Sequence, residues 1–320
     1  MINTKDTIHQ LTVPTPFGVG DVHVYVLKGD VLTLIDAGIK TEEAWQALEC
    51  GLKGIGYKTG DIEQVVLTHH HPDHIGLVDR FLNIQGVYGH EDNRPWLQHD
   101  VVFLEQLRSF FHGLYASFGV SEDFRAFFKH LRDPFKYVAK GTLTAALQEG
   151  DSLPGHMDWK VLETPGHAES HLSFFREQDG TMLSGDHLLY YISSNPLLEP
   201  PRNADDARPQ PLVTYRKTME KCLRYPIHKV LPGHGPVFSD AHNLIKTRLE
   251  KQEQRAEKVY QMLEEKPLSP FEVCQRLFPK HIEKEFGLTI SETVGQLDYL
   301  QSIDKVEIEI RQGVLYYSTK

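Results

Sequence analysis

Ile62-Glu63-Gln64-Val65-Val66-Leu67-Thr68-His69-His70-His71-Pro72-Asp73-His74 is the stretch on which the reading of this chain turns. Its first half is a short apolar run of strand type, and its second half places His69, His71, Asp73 and His74 where that strand ends. Histidines two apart at a strand end can project to the same side and converge on one ion. An aspartate and a further histidine within the next turn can reach a second ion beside it. Four ligand-type side chains in six residues are costly to gather unless something neutralises them, and a divalent cation does so. An incidental histidine-rich loop accounts for His69-His70-His71 alone but not for the whole pattern. His70, if the strand continues, points away from its neighbours to solvent.

Upstream, the runs Val22–Leu27 and Val31–Ile35 are β-branched and separated by Lys28-Gly29-Asp30, a hairpin signal. From Thr41 to Leu52 the period becomes helical, with Ala44, Trp45, Leu48 and Leu52 on one face and Cys50 expected in the core. Downstream, Gly86-Val87-Tyr88 forms another strand, and the strand–helix–strand alternation indicates an α/β layered fold. Residues 94 to about 148 break the rhythm with helical stretches from Val101 to Phe118 and from Glu122 to Leu131. Eleven of the 32 aromatics fall in this insertion, which reads either as a small core of its own or as a lid over an apolar pocket. Strands return at 159–163, 171–175, 181–184 and 229–231, with a proline-rich loop from Asn195 to Pro211 between the last two.

The character changes near residue 240. A long charged helix ends before Pro267, helices follow from Pro270 to Phe278 and from Ser291 to Ser302, and the tail 306–317 is a hairpin. That order suggests a small winged-helix-like module, so the expected domains are 1–240, catalytic, and 241–320.

Length and composition set the outer bounds. The 320 residues carry 40% hydrophobic and 24% charged side chains, ordinary globular usage that excludes disordered and fibrous classes. The longest apolar runs fall far short of the roughly 20 residues of a membrane helix. The start, MINTKDTIHQ, has no basic patch followed by an apolar core. Cys50, Cys222 and Cys274 imply no disulfide framework, and a reducing, cytoplasmic setting is expected. A formal charge of -10 repels polyphosphates, so nucleic acid is not the expected partner.

Three later sites repeat the logic of the first, each at a strand-to-loop switch: Thr164-Pro165-Gly166-His167, Ser184-Gly185-Asp186 and Pro232-Gly233-His234-Gly235. Each is common alone; in this order behind the His69–His74 run they are specific. On these motifs, with Asp36, the chain resembles the metallo-β-lactamase superfamily over roughly residues 10 to 240, apart from the helical insertion. The resemblance implies an αβ/βα sandwich of two sheets flanked by helices, with a metal site at the shared sheet edge. It further implies that His69, His71 and His167 hold one metal, that Asp73, His74 and His234 hold another, and that Asp186 bridges them. The cofactors expected are two divalent ions, zinc first, with iron or manganese as alternatives.

Three neutral imidazoles leave an open position on the first ion. A water between two ions falls from a pKa near 15.7 to about 7, giving hydroxide at neutral pH for attack on an acyl carbonyl. Asp73 is the candidate catalytic residue that orients or deprotonates it. Tyr190, with Tyr191 beside it, is the candidate oxyanion donor, aromatic packing being the other reading. Asp36 is read as a support for a ligand or as a turn residue, and His187 as loop packing. Asp186 separates the chain from true β-lactamases of the superfamily, which lack the bridging aspartate, and His71 from the flavodiiron branch, which has glutamate there. The glyoxalase II-like and lactonase branches remain, so the expected function is a dinuclear hydrolase of a small-molecule ester, thioester or lactone. The alternative is a nuclease acting on single-stranded RNA. From Ala241 to Lys320 there are 12 basic and 13 acidic residues, and Ser291–Ser302 has no Lys or Arg, which suits packing or homodimer formation better than phosphate binding.

Overall fold

The computed structural model describes residues 7–122, 124, 135–203 and 206–320. Its described residues fall into two compact units, one from Met1–Asp100, Asp133–Ser194 and Lys221–Leu244, the other from Val101–Arg132, Asn195–Glu220 and Ile245–Lys320. The division is not a single cut near residue 240: part of the helical insertion, from Val101 on, and the proline-rich loop group with the C-terminal residues.

The first unit contains two sheets. One has β1 (Thr7–Val13), β2 (Val22–Lys28), β3 (Leu32–Ile35), β4 (Gln64–Val66), β5 (Gly86–Gly89) and β6 (Ala145–Ala146) in that order. The first three strands are antiparallel and the rest parallel. Parallel neighbours need a crossover, and α1 (Glu42–Gly54) supplies it between β3 and β4. Thr41 caps this helix by accepting the Ala44 N–H, with Glu42 and Glu43 in the first turn where the helix dipole favours negative charge. The short helices α2 (Pro72–Ile75) and α3 (Arg94–Gln98) follow β4 and β5.

The second sheet runs β11 (Lys229–Pro232), β10 (Thr181–Gly185), β9 (Leu172–Arg176), β8 (His156–Glu163), β7 (Ser152–Leu153). Strand alternation sorts the side chains of β2, β3 and β4 into two clusters. Val22, Val24, Val26, Leu34 and Val65 pack with Ala44, Leu48 and Leu52 of α1. Tyr25, Leu27, Ile35 and Val66 pack with Trp159, Val161, Phe174, Leu183 and Leu231 of the other sheet. Burial on both faces is why β2 reads as an almost unbroken apolar run. The expected α/β sandwich is therefore present. Cys50 corrects an expectation: it is exposed, because it sits about 200° around the helix from Leu48.

The second unit holds α4 (Val101–Ser117), most of α5 (Pro211–Cys222) and of α6 (Ala241–Glu265), then α7 (Pro270–Leu277), α8 (Phe286–Ser302) and the hairpin β12 (Val306–Arg311)–β13 (Val314–Thr319). Phe111, Tyr115, Phe118 and Phe124 pack with Phe286, Ile290 and Val294 of α8. This part of the aromatic insertion thus forms neither a core of its own nor an isolated lid. Trp96, Phe135 and Tyr137 stay with the first unit. Phe127, Phe128 and most of the expected helix Glu122–Leu131 lie outside the described residues.

Trp159 is fully buried between the sheets. Trp159→Ala is expected to cost about 3–5 kcal/mol, read as a lower urea midpoint with an unchanged slope.

Candidate metal centre

The seven candidate ligands lie just beyond the ends of strands or in the short helix that follows β4, so the sheet edges gather them. Asp36 follows β3 in the left-handed region, at φ 59°. Its Oδ1 accepts the Thr68 backbone N–H and its Oδ2 accepts the Thr68 hydroxyl, both at 2.8 Å. His74 Nδ1 is also 2.8 Å from Oδ2. A carboxylate is acceptor-only, so this nitrogen carries a hydrogen and His74 Nε2 points inward. The Thr68 oxygen, having given its hydrogen to Asp36, accepts from His69 Nδ1 at 3.0 Å, which turns His69 Nε2 inward too. His234 Nδ1 donates to the Asp21 carbonyl at 2.7 Å, with the same result. Such partners of the outer ring nitrogen fix the tautomer and orientation of metal-binding histidines. Asp36 is thus a support of the centre as well as a turn residue.

The inward atoms converge. His71 Nδ1 lies 2.9 Å from both His69 Nε2 and His167 Nε2. Asp186 Oδ1 lies 3.5 Å from His74 Nε2, and its Oδ2 lies 3.5 Å from His234 Nε2 and 3.6 Å from His167 Nε2. Asp73 Oδ2 is 3.2 Å from His234 Nε2. Three groups could each hold an ion, with ligand atoms all within 4.8 Å of one another: His69, His71, His167; His69, His74, Asp186; and Asp73, His74, His234.

The donor set fits divalent cations. His74 Nε2, His234 Nε2 and Asp186 Oδ1 are buried without a hydrogen-bond partner among the described residues, an arrangement that is costly unless a ligand satisfies it. Burial, reinforced by the neighbouring imidazoles, pushes His69 and His71 well below the ordinary histidine range, so both are neutral donors. Burial opposes ionisation of Asp186, but His234 and His74 outweigh it and hold the carboxyl well below its usual range. His74 shows the converse: burial would lower it, and Asp186, Asp36 and Asp73 carry it well above 6.5. The ion-free centre therefore holds proton charge where a metal would sit, and binding should release it.

Two glycines make room. A Cβ on Gly233 would stand 2.2 Å from Asp186 Oδ1. One on Gly185, at φ +48°, would stand 2.9 Å from His171 Nε2 and 3.0 Å from Thr68 Cβ.

His70 is not at the surface as expected. It is 4% exposed, stacks on Trp96 at 4.6 Å and 9°, and bonds Ser170; burial first, and His167 and His90 after it, push it down to about 3. Pro72 starts α2 immediately after His71, so the strand pattern does not persist through the triple histidine. His187 is buried, its ring 6.0 Å from that of His171, in keeping with packing. Tyr190 is 42% exposed with its ring 5.3 Å from that of Phe238, and Tyr191 is 77% exposed.

Two supports escaped the sequence reading. Thr68 couples Asp36 to His69. His171 Nε2 accepts the Asp186 N–H at 3.1 Å while its Nδ1 faces the Thr164 hydroxyl at 2.8 Å, so it holds the loop carrying Asp186. The only hint of His171 was a histidine four residues after His167 at the head of a strand.

Asp36→Ala is expected to weaken divalent-ion binding about 10- to 100-fold, measured by competition with a chromophoric chelator; unchanged affinity would mean that His69 and His74 need no support.

The family model of the Metallo-beta-lactamase superfamily matches residues 17–234. The chain is 44% identical over 318 residues, 99% of each chain, to the Probable metallo-hydrolase YqjP of Bacillus subtilis (strain 168). A metallo-beta-lactamase family protein of Thermus thermophilus matches with a TM-score of 0.80 at 26% identity, covering 98% of both chains. A beta-lactamase domain protein of Burkholderia ambifaria shares the fold, with a TM-score of 0.81 at 22% identity over 98% of this chain and 92% of that one. By the match of the family model and the similarity to its Bacillus relative, the chain belongs to the metallo-beta-lactamase superfamily.

Proposed function

We propose that the protein is a metal-dependent hydrolase with a two-ion centre, zinc first among the candidates, acting on an ester, thioester or lactone. The observation that carries this reading is the convergence of seven buried or nearly buried candidate ligand side chains, of which His74, Asp186 and His234 turn inward an atom with no hydrogen-bond partner among the described residues. The name of the Bacillus relative, a probable metallo-hydrolase, points the same way.

In this reading His69, His71 and His167 hold one ion, and Asp73, His74 and His234 the other. Asp186 lies between them, its two oxygens facing imidazoles of both halves. Divalent ions bound there would supply Lewis-acid polarisation of an acyl oxygen and lower the pKa of water from 15.7 to about 7. The chain's own part is proton handling and orientation. Burial raises the Asp73 carboxyl, but His74 and His234 more than offset it, so it is ionised at neutral pH. Its Oδ2 faces His234, which leaves Oδ1 to accept a proton from attacking water. Tyr190, four residues after Asp186 and accessible, is the candidate donor to the substrate oxygen, while its ring packs on Phe238.

The net charge of -10 favours a small acyl substrate over a polyanion. We read the C-terminal helices and hairpin as a winged-helix-like packing module. Its α8, the expected recognition helix, buries Ser291, Thr293, Gln296 and Asp298 along with its apolar residues, which leaves no basic face for phosphates. Cys50, Cys222 and Cys274 are all free thiols, which suits a reducing, cytoplasmic compartment. No helix among the described residues is long and apolar enough to cross a membrane.

A metal-loaded sample screened against thioesters, lactones, phosphodiesters and β-lactams should turn over an acyl substrate. Chelator should abolish that turnover and zinc or manganese restore it. His71→Ala should lower kcat/KM on the order of 10³-fold, about 4 kcal/mol of transition-state stabilisation. Full activity of His71→Ala, or turnover confined to phosphodiesters, would overturn the reading.

A further inference from the structure

The two loops that supply the three-imidazole half of the centre are joined by contacts that the ligand set does not explain. Ser170 Oγ lies 3.1 Å from the His70 backbone nitrogen and 2.8 Å from His70 Nδ1. The N–H can only donate, so Ser170 Oγ accepts it, and the same oxygen pairs with Nδ1; one hydroxyl thus serves both the main chain and the ring of His70. One face of that ring lies flat on Trp96 of α3, and Trp96 packs in turn on Phe135, itself stacked on His99 at 4.5 Å. Two residues along, the Leu172 N–H donates to the Thr68 carbonyl at 2.7 Å. The loop at 68–71 is therefore tied to the segment 170–172 by three hydrogen bonds, with the aromatic stack behind it.

These contacts lie among the residues that must be placed most accurately. His69 and His71 flank His70, and His167 comes three residues before Ser170. Their inward nitrogens meet at 2.9 Å, and a metal site tolerates errors of only about 0.5 Å in such positions. Contacts among three rotatable imidazoles do not fix their planes to that accuracy, so partners outside the ligand set have to hold them there.

We propose that His70 and Ser170 form a clamp that preorganises His69, His71 and His167 for the first ion, making both residues positioning residues outside the ligand set. The proposal rests on the two-ion reading above. Trp96 backs the clamp by fixing the plane of His70.

The test counts ions per chain and measures each affinity by chelator competition. The electronic spectrum of the cobalt-substituted protein gives a second, activity-independent view of the coordination. Ser170→Ala and His70→Phe each remove one half of the clamp. Each is expected to weaken one ion about 10- to 100-fold while the other is held as in the wild type, with a changed cobalt spectrum. Because both act through one interaction, the double variant should cost little more than either alone. Hydrogen exchange on the ion-free wild-type protein needs no variant: the His70 amide should be protected before metal is added. Two ions held with unchanged affinity in Ser170→Ala, additive losses in the double variant, or a rapidly exchanging His70 amide in the ion-free protein would each overturn the clamp. A wild-type protein that binds fewer than two ions would instead overturn the two-ion reading.

Discussion

The carboxylate of Asp36 receives the Thr68 N–H, the Thr68 hydroxyl and His74 Nδ1–H in a site sealed from solvent. From those bonds the orientation of the imidazoles follows. Thr68, having donated, must accept from His69; His69 and His74 then both turn their Nε2 atoms inward. Buried charge of this kind is tolerated only when every oxygen is used, and here each is. The left-handed backbone at Asp36 is the local cost of aiming a carboxylate back at the loop that leaves β4.

That carboxylate does its work because the two sheets are fastened at the same edge. The His23 N–H donates to the Gly233 carbonyl at 2.7 Å, and the Tyr25 hydroxyl donates to the Pro232 carbonyl at 2.7 Å. Together with the bond from Leu172 to Thr68, these link β2 to the loop after β11 and the loop after β4 to the start of β9. The apolar cluster around Trp159 presses the sheets together, while these few polar bonds set where their edges meet. Candidate ligands carried beyond four different strands can then be brought close to one another.

Much of this was legible in the sequence, for identifiable reasons. Strand-end histidines and aspartates next to glycines carry their chemistry on their own side chains, so the seven candidate ligand positions could be singled out without coordinates, and the apolar runs of β2 and β3 were equally plain. What escaped depended on partners distant in sequence. His70 looked like a solvent-facing neighbour because its environment is made by Trp96 and Ser170, 26 and 100 residues away. Cys50 was misplaced because a helical face is legible only to about a third of a turn, and one apolar residue off the 44–48–52 line faces water. The aromatic insertion resisted reading because its cluster partners, Phe286 and Ile290, lie far along the chain in a helix that begins five residues before the expected Ser291.

One contact also bears on how the molecule comes into being. The tautomer of His234 is set by the Asp21 carbonyl, across 213 positions of chain. While the protein is being synthesised, the first histidines emerge long before this last one, and for all that time the early cluster lacks the partner that would close it. The cluster is thus closed only once nearly the whole of the first unit has left the ribosome, so its closure comes late in that unit's folding.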